Sequence, residues 1–397
     1  MKRIAAVCIA LGLAGTQALA QPAAPPRSAA SITDFRVNDP ALMDARAAVL
    51  RRAESELARG DAAAANESFD RAAMMLHAPD TEMGLVRTYM QAGQYRRALA
   101  FCAHTAGTHR ESPSAGALYA WLLRAGGQGA FAERVLNETL ERSPQDPVSL
   151  EVRRAFATPW PMAAGALLQT PHRLAPQAVM APGQDAIPEA ARIVSSGVLI
   201  RGGSLALVPN AAARSAPSRM LWVRNGLGQT TRARVDENSK VLEAFGVTVL
   251  RLDAALEPPP SLAVAPREPF AGSPGFAVEY AESGSAVPAW PWLSQGFFGT
   301  FPSNGLRRLG IELADGPHGG PVLDAQGRLA GIALPGAERE AVMLPASRWQ
   351  DLPGIATATS PPDAGDPAAL ARPSGTLPAD QAYESALRLA LQVIALR

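Results

Sequence analysis

The most informative stretch of this sequence is Gly316-Pro317-His318-Gly319-Gly320-Pro321-Val322-Leu323-Asp324, a glycine-rich loop that runs directly into apolar residues. A turn at Gln326-Gly327 follows, and the next apolar run extends from 329 to 332. Short apolar runs separated by glycine turns are typical of antiparallel β-structure. The loop itself carries one imidazole, that of His318, and contains no serine.

The region that begins near residue 190 and includes this loop consists of similar short apolar runs, broken by Gly, Pro and Asn. It predicts an antiparallel barrel. The candidate strands are 195–200, 204–207, 220–223, 231–235, 247–252, 275–280, 296–300, 305–313, 322–324, 329–333 and 341–344.

Five segments in this region resemble the trypsin-like serine peptidases, most closely their bacterial HtrA-type branch. Residues 195–200 resemble the Gly-Ser-Gly-apolar strand that opens such domains, and 207–212 resemble Leu-Thr-Asn-Ala-His. Residues 245–252 resemble Asp-Leu-Ala-Val-Leu-Lys-Ile, 316–321 the nucleophile loop Gly-Asn/Asp-Ser-Gly-Gly-Pro, and 342–348 the closing Phe-Ala-Ile-Pro-Ser strand. The resemblance implies a chymotrypsin-like domain of two antiparallel barrels.

The resemblance also implies where a catalytic triad would lie. Ala212 occupies the position of the general base, Gly246 that of the orienting aspartate and His318 that of the nucleophile. The three members of a triad act as a unit, and losing them costs on the order of a million-fold in turnover. We therefore predict no catalytic residues and a pseudo-peptidase, although the backbone amides of Gly316 and His318 could still form an oxyanion-type hole.

Two interpretations of His318 remain open: a hydrogen-bond donor to a bound peptide carbonyl, or a loop residue that drifted after catalysis was lost. Ser204 and Ser303 are hydroxyls in the same domain, but they are weak nucleophiles without a general base. One histidine with no nearby cysteine offers too few ligands for zinc. The sequence thus predicts no metal and no cofactor.

Trp290 and Trp292 flank Pro291 within a short aromatic-rich segment. They could belong to the core of the barrel. Alternatively, the proline indicates a turn that leaves both rings exposed as contacts for a binding partner.

The region before the barrel repeats with a period of 33 or 34 residues, which is the period of the tetratricopeptide repeat. Gly60, Gly93 and Gly127 close the first helix of each unit, because glycine suits that end of a helix. Three further sets keep the spacing: Ala65, Ala98 and Ala132; Phe69, Cys102 and Leu136; Ala72, Thr105 and Thr139. The resemblance implies an α-helical solenoid with a concave peptide-binding groove, unless the array only packs on the next domain.

The predicted organisation is multidomain α + β. The ranges are a signal peptide at 1–20, a flexible lead-in at 21–41, repeats at 42–155, a Pro-rich linker at 156–187, the trypsin-like domain at 188–354, a low-complexity linker at 355–378 and a C-terminal amphipathic helix at 379–397. Asp380 is the predicted N-cap of that helix, which we expect to continue to about Leu396.

Composition limits the function further. Lys2-Arg3, an apolar run and Ala18-Leu19-Ala20 form a signal peptide, which indicates a periplasmic or secreted protein. Cleavage after Ala20 leaves 35 basic against 36 acidic residues, a balance that argues against binding nucleic acid. Only Cys102 remains, so no internal disulfide can form, and no later segment is long and apolar enough for a membrane span.

The sequence therefore favours an exported scaffold or adaptor that binds a protein or peptide of unknown identity through repeats and an inactive peptidase-like domain. A cell-envelope hydrolase with a rebuilt site is the alternative from another class. In a third interpretation the barrel is only a structural spacer.

Overall fold

The computed structural model describes residues 39–215, 220–237, 240–260, 263–301, 305–313, 318–336, 340–352 and 376–396. The predicted signal peptide, most of the lead-in and nearly all of the low-complexity linker lie outside these residues. No helix among the described residues is long and apolar enough to cross a membrane.

Seven helices lie between residues 39 and 156, as the repeat predicts. They are α1 (Pro40–Ala58), α2 (Ala62–Met75), α3 (Pro79–Gln91), α4 (Tyr95–Thr108), α5 (Pro113–Ala125), α6 (Gly129–Arg142) and α7 (Pro147–Phe156). Four of them begin with proline, whose missing N–H is harmless at a helix start. Successive helices pack as hairpins, so three helix pairs and a closing helix make up the array.

Small residues set the spacing of these helices. A β-carbon added to Gly84 would lie 2.2 Å from the ring of Phe69, and one added to Gly116 would lie 2.3 Å from the hydroxyl of Thr139. Ala65, Ala98 and Ala132, on the second helix of each pair, are fully buried. Because protein interiors are close-packed, larger side chains there would force the helix pairs apart.

The strands follow in two groups. They are β1 (Val179–Met180), β2 (Ala191–Ile200), β3 (Leu205–Pro209), β4 (Leu221–Asn225), β5 (Gln229–Val235), β6 (Val247–Leu252), β7 (Pro274–Glu279), β8 (Trp292–Phe298), β9 (Arg307–Ile311), β10 (Pro321–Asp324), β11 (Leu329–Pro335), β12 (Ala341–Pro345) and β13 (Ala390–Leu396). A five-residue helix, α8 (Asn210–Arg214), follows β3, and α9 (Ala379–Leu389) precedes β13.

Two closed antiparallel barrels of six strands result. The first has the order β5-β4-β13-β2-β3-β6 and closes through the pairing of β5 with β6. The second has the order β10-β11-β12-β9-β8-β7 and closes through β7 and β10. All eleven predicted strands overlap observed ones, and the predicted chymotrypsin-like class is confirmed. The predicted strand 296–300 is displaced, because β8 already begins at Trp292.

The prediction that the last helix reaches Leu396 is wrong. Helix α9 ends at Leu389, and the next seven residues form β13, which pairs antiparallel with β2 and with β4. Residues 390–395 are buried without interruption, including Val393 and Ile394. Such a run fits a strand covered on both faces, whereas a helix would turn some of these side chains toward solvent.

Helix α9 also joins the repeats to the barrels. The Tyr383 ring is fully buried and meets the Tyr95 ring of α4 edge-on, with centroids 4.5 Å apart. The Tyr383 hydroxyl donates to the carbonyl of Pro291 at 2.8 Å, and Arg388 Nη2 donates to the carbonyl of Ala92 at 2.8 Å. Repeats and barrels therefore share one continuous hydrophobic core.

Candidate functional site

The pairing of β3 with β6 brings two of the predicted triad positions together. Pro209 lies opposite Val247, and the amide of Asn210 donates to the carbonyl of Gly246 at 2.8 Å. The side chain of Asn210 spans the same gap, since its Nδ2 donates to the Glu243 carbonyl at 2.9 Å. Ala212 lies two residues further on, in the short helix α8, and is buried.

The loop that carries the third position packs against the same place. A β-carbon added to Gly319 would lie 2.2 Å from the carbonyl oxygen of Ser196 and 2.7 Å from Cδ of Pro209. Its φ of +148° is one that residues with side chains rarely adopt. His318, the neighbouring residue, is half-buried. The loop that carries His318 thus contacts the end of β3, which leads into Asn210 and Ala212, while Gly316 lies outside the described residues.

Neither Ala212 nor Gly246 offers a group for proton transfer at this place. The amide of Gly246 donates to the Glu243 carbonyl at 3.0 Å and ends a short 3-10 helix, Lys240–Phe245. Gly246 has a φ of +83°, a conformation that an aspartate adopts only with strain. Its role is that of a helix-ending glycine, which differs from the extended strand residue that the resemblance implies.

Of the serines considered in the sequence, Ser204 donates its hydroxyl to the carbonyl of Arg201 at 2.8 Å. This bond holds the hydroxyl within its own turn. Ser303 lies outside the described residues. Ser204 is therefore not available as an activated hydroxyl near Ala212, Gly246 and His318.

Glu279, at the end of β7, is a residue that the sequence reasoning missed. Its carboxylate is 2% exposed, and its Oε1 accepts the amides of Gly320 at 3.0 Å and Gly319 at 3.3 Å. These two hydrogen bonds anchor the loop that carries His318 to strand β7. The signal was available, since Glu279 is the one charged residue in the otherwise apolar run 275–280.

Burial raises the pKa of Glu279 to about 7, while hydrogen bonds from the Ser196 hydroxyl and from the amides of Gly320 and Gly319 work in the opposite direction. An unfolded glutamate has a pKa of about 4.3. The folded state therefore retains a proton that the unfolded state has already released between these two pH values.

We expect the free energy of unfolding to fall as pH rises from about 4.5 to about 7, by about 3–4 kcal/mol from this one group. Glu279→Gln removes the titration, so this component of the pH dependence should vanish in the variant. Urea unfolding of both proteins at pH 5 and pH 8 measures it, and all other titrating groups cancel in the difference. Equal pH dependence in the two proteins would contradict the assignment.

Trp290 and Trp292 do not form an exposed partner surface; that alternative is wrong. Their exposures are 2% and 4%. Trp292 instead packs on Trp121 of helix α5, with ring centroids 5.5 Å apart. The connection through Pro291 is non-helical, yet both rings are buried, and Trp121 of the repeats covers that of Trp292.

The chain also covers part of its own repeat array. The predicted linker is irregular, yet Leu167 and Leu174 are buried in the common core. The backbone amide of Gln177 donates to the side chain of Gln91, and Arg124 Nη2 donates to the carbonyl of Thr158. Helix α3 is consequently buried from Thr81 to Gln91 on every face. This arrangement favours the interpretation in which the array packs on the neighbouring domain.

Comparison with known proteins agrees with the repeat assignment: the model of the tetratricopeptide repeat family matches residues 56–122. Comparison with curated proteins finds no match.

Among solved structures, the apo crystal structure of the MamO protease domain from Magnetospirillum magneticum is similar, at 18% identity and a TM-score of 0.31, covering 41% of this chain and 94% of that domain. A serine endoprotease from Yersinia pestis is similar at 16% identity and a TM-score of 0.31, covering 40% of this chain and 60% of that one. The barrel assignment itself rests on the strand topology described above.

Proposed function

We propose that this protein is an exported adaptor that binds a protein or peptide partner, and that its peptidase-like barrels perform no catalysis. The observation that carries the proposal is the residue set at the triad positions, Ala212, Gly246 and His318, together with the packing of Gly319 on the end of β3. A catalytic base and nucleophile must lie within hydrogen-bond reach of one another. The three triad positions are occupied by Ala212, Gly246 and His318, which supply no hydroxyl nucleophile and no acid that orients a base.

Tetratricopeptide repeats support a binding role, because stacked repeats present extended surfaces to partners. Export rests on the residues at 1–20, which have the composition of a cleaved signal peptide. N-terminal sequencing of protein recovered from the periplasm or the medium should begin at Gln21. Protein that retains Met1 and stays in the cytoplasm would contradict export.

One exposed surface suits a partner. Phe270, Phe297 and Phe301 are exposed by 70%, 58% and 46%. They lie at one corner of the second barrel, where the amide of Gly272 donates to the carbonyl of Phe298 at 2.7 Å. The guanidinium of Arg307 lies 4.8 Å from the centre of the Phe301 ring. We call these three phenylalanines the aromatic corner; exposed aromatic rings beside arginine are typical of interface hot spots.

The test is crosslinked capture from envelope extract with the full mature chain. We expect wild type to enrich a specific partner and the triple variant F270S/F297S/F301S to lose at least about tenfold of that capture, since hot-spot residues carry 2 kcal/mol or more. Met74→Ser is the matched control, because Met74 is equally apolar and 77% exposed but lies on α2. It should retain capture.

The outcomes separate the alternatives. Undiminished capture by the triple variant would assign binding to the repeats and leave the barrels as a spacer. Absence of any specific partner for wild type would contradict the adaptor function itself.

A further inference from the structure

Three of the five histidines of the chain gather at one edge of the repeat array. His77 lies in the connection between α2 and α3, and His104 and His109 lie in and directly after α4. All three imidazoles face the side chain of Glu82, in the first turn of α3. The repeat assignment requires none of them, since none is among the positions that recur with the repeat period.

The ligand atoms lie close together. The distance from His77 Nε2 to Glu82 Oε1 is 2.5 Å, and that from His109 Nε2 to Glu82 Oε2 is 3.5 Å. One donor atom from each of the three residues lies within 4.8 Å of the others. His104 Nε2 is 4.0 Å from Glu82 Oε1, and its side chain is more than half exposed, so it can rotate inward.

The buried members of the cluster are incompletely bonded. Glu82 is 3% exposed and His109 is 7% exposed. Neither Oε2 of Glu82 nor Nε2 of His109 has a hydrogen-bond partner. Buried polar atoms are nearly always satisfied, whereas these two atoms lie 3.5 Å apart without a hydrogen bond, and an ion bound to both would satisfy them.

The other ring nitrogen of His109, Nδ1, indicates which kind of ligand the site would bind. Its Nδ1 lies 3.2 Å from Oε1 of Glu111, at hydrogen-bond distance. A proton on Nδ1 leaves Nε2 of a neutral imidazole as a lone pair directed toward the Glu82 carboxylate. Two acceptors then face each other across 3.5 Å, and a cation bound to both would remove their repulsion. A carboxylate behind a histidine is also the usual second shell of a metal ligand.

We propose that His77, Glu82 and His109 bind one divalent transition-metal ion of the zinc class, with His104 available as a fourth ligand. Bonds of about 2.1 Å at tetrahedral angles put ligand atoms roughly 3.4 Å apart, close to the separation seen between His109 and Glu82. Imidazole and carboxylate are donors that zinc accepts. The prediction of no metal considered only His318, and the ligands lie in a different domain.

Such an ion would link His77, in the connection between α2 and α3, to His109, directly after α4. It would therefore join the connection from the first repeat to the second repeat. His77 and His104 leave the outer side of the site exposed, by 57% and 55%. Water or a partner side chain can therefore complete the coordination. The inference is independent of the proposed adaptor function, since it concerns a site within the array.

The test uses the tag-free mature chain after dialysis against chelator. We expect calorimetric titration with Zn²⁺ to give one equivalent per chain, and Co²⁺ to produce the visible absorption of a tetrahedral or five-coordinate nitrogen–oxygen site. Zn²⁺ should also raise the thermal unfolding midpoint. The variants Glu82→Gln and His109→Gln, which preserve side-chain size, should each lose at least tenfold in Zn²⁺ affinity.

His172→Ala is the control, because His172 lies outside the cluster, with its Nε2 3.0 Å from the Ala166 carbonyl oxygen. It should bind Zn²⁺ like wild type. The unfolding midpoint in chelator shows whether each variant is folded. Failure of wild type to bind Zn²⁺ or Co²⁺, with a midpoint insensitive to either ion, would mean that a proton shared by the cluster takes the place of the metal and would overturn the proposal. Equal affinity in wild type and both glutamine variants would overturn it too.

Discussion

A chain that ends at Leu389 should fail to form the first barrel. Strand β13 pairs with β2 through seven residue pairs and with β4 through five. Fully burying a Val, Leu or Ile side chain contributes about 1.5–3 kcal/mol each, and Leu391, Val393 and Ile394 are all completely buried. Their combined loss is comparable with the whole stability of a domain, about 5–15 kcal/mol. We expect calorimetry to show no cooperative transition for this barrel, and aggregation through the open edges of β2 and β4.

A point variant tests the same claim without shortening the chain. Ile394→Asp places a charge in the cluster of Ile394, Ile193 and Trp222, and should destabilise the protein to a similar extent. Ser385→Ala, on the exposed face of α9, is the matched control and should change the unfolding free energy by less than about 0.5 kcal/mol. A truncated chain with a wild-type unfolding transition would show that β13 is dispensable.

Tyr383→Ala should be the most damaging single truncation at the contact between repeats and barrels. The variant loses a fully buried ring, its edge-on contact with Tyr95 and its hydrogen bond to Pro291. Replacing a large buried side chain by alanine costs about 3–5 kcal/mol. We expect chemical unfolding to show this loss and to separate into two transitions, one for the repeats and one for the barrels.

Tyr383→Phe separates packing from hydrogen bonding, because it keeps the ring and removes only the hydroxyl. Its cost should be about 1–3 kcal/mol, for the Pro291 carbonyl that is left without its donor. An alanine variant within 1 kcal/mol of wild type, with a single transition, would mean that α9 does not join the two parts.

The repeats and most of the barrel could be predicted because their signals are local. The 33-to-34-residue period follows from small residues where helices touch, and the structure buries Ala65, Ala98 and Ala132 accordingly. The hairpin after residue 320 follows from apolar runs and a glycine turn, and it appears as β10 and β11.

The features that the sequence did not predict, strand β13 and the burial of Trp292, also have a physical cause. Residues 379–396 are amphipathic at helical spacing in their first half, and nothing local marks the change to a strand at Ala390. The segment becomes a strand because β2 and β4 do not pair with each other, and β13 takes the position between them. Burial of Trp292 likewise depends on Trp121, some 170 positions earlier in the chain. Contacts of this kind exist only in the tertiary structure.

The candidate site was predictable in part. Motif order alone placed Ala212, Gly246 and His318 in one region, and the contacts of Asn210 with Gly246 and of Gly319 with Pro209 are consistent with it. Glu279 and the histidine cluster around Glu82 were missed, since both depend on which side chains the fold buries together. For Glu279 the signal in the sequence was a charged residue in the otherwise apolar run 275–280.

We propose that the peptidase-like barrels carry no catalytic centre. The most direct measurement is the intact mass of the mature chain after incubation with excess serine-directed phosphonate, beside a competent serine peptidase as positive control. We predict an unchanged mass, because an unactivated hydroxyl does not attack the probe. A stoichiometric adduct on a serine of the barrels, abolished by prior unfolding, would contradict the account and establish a rebuilt hydrolase site.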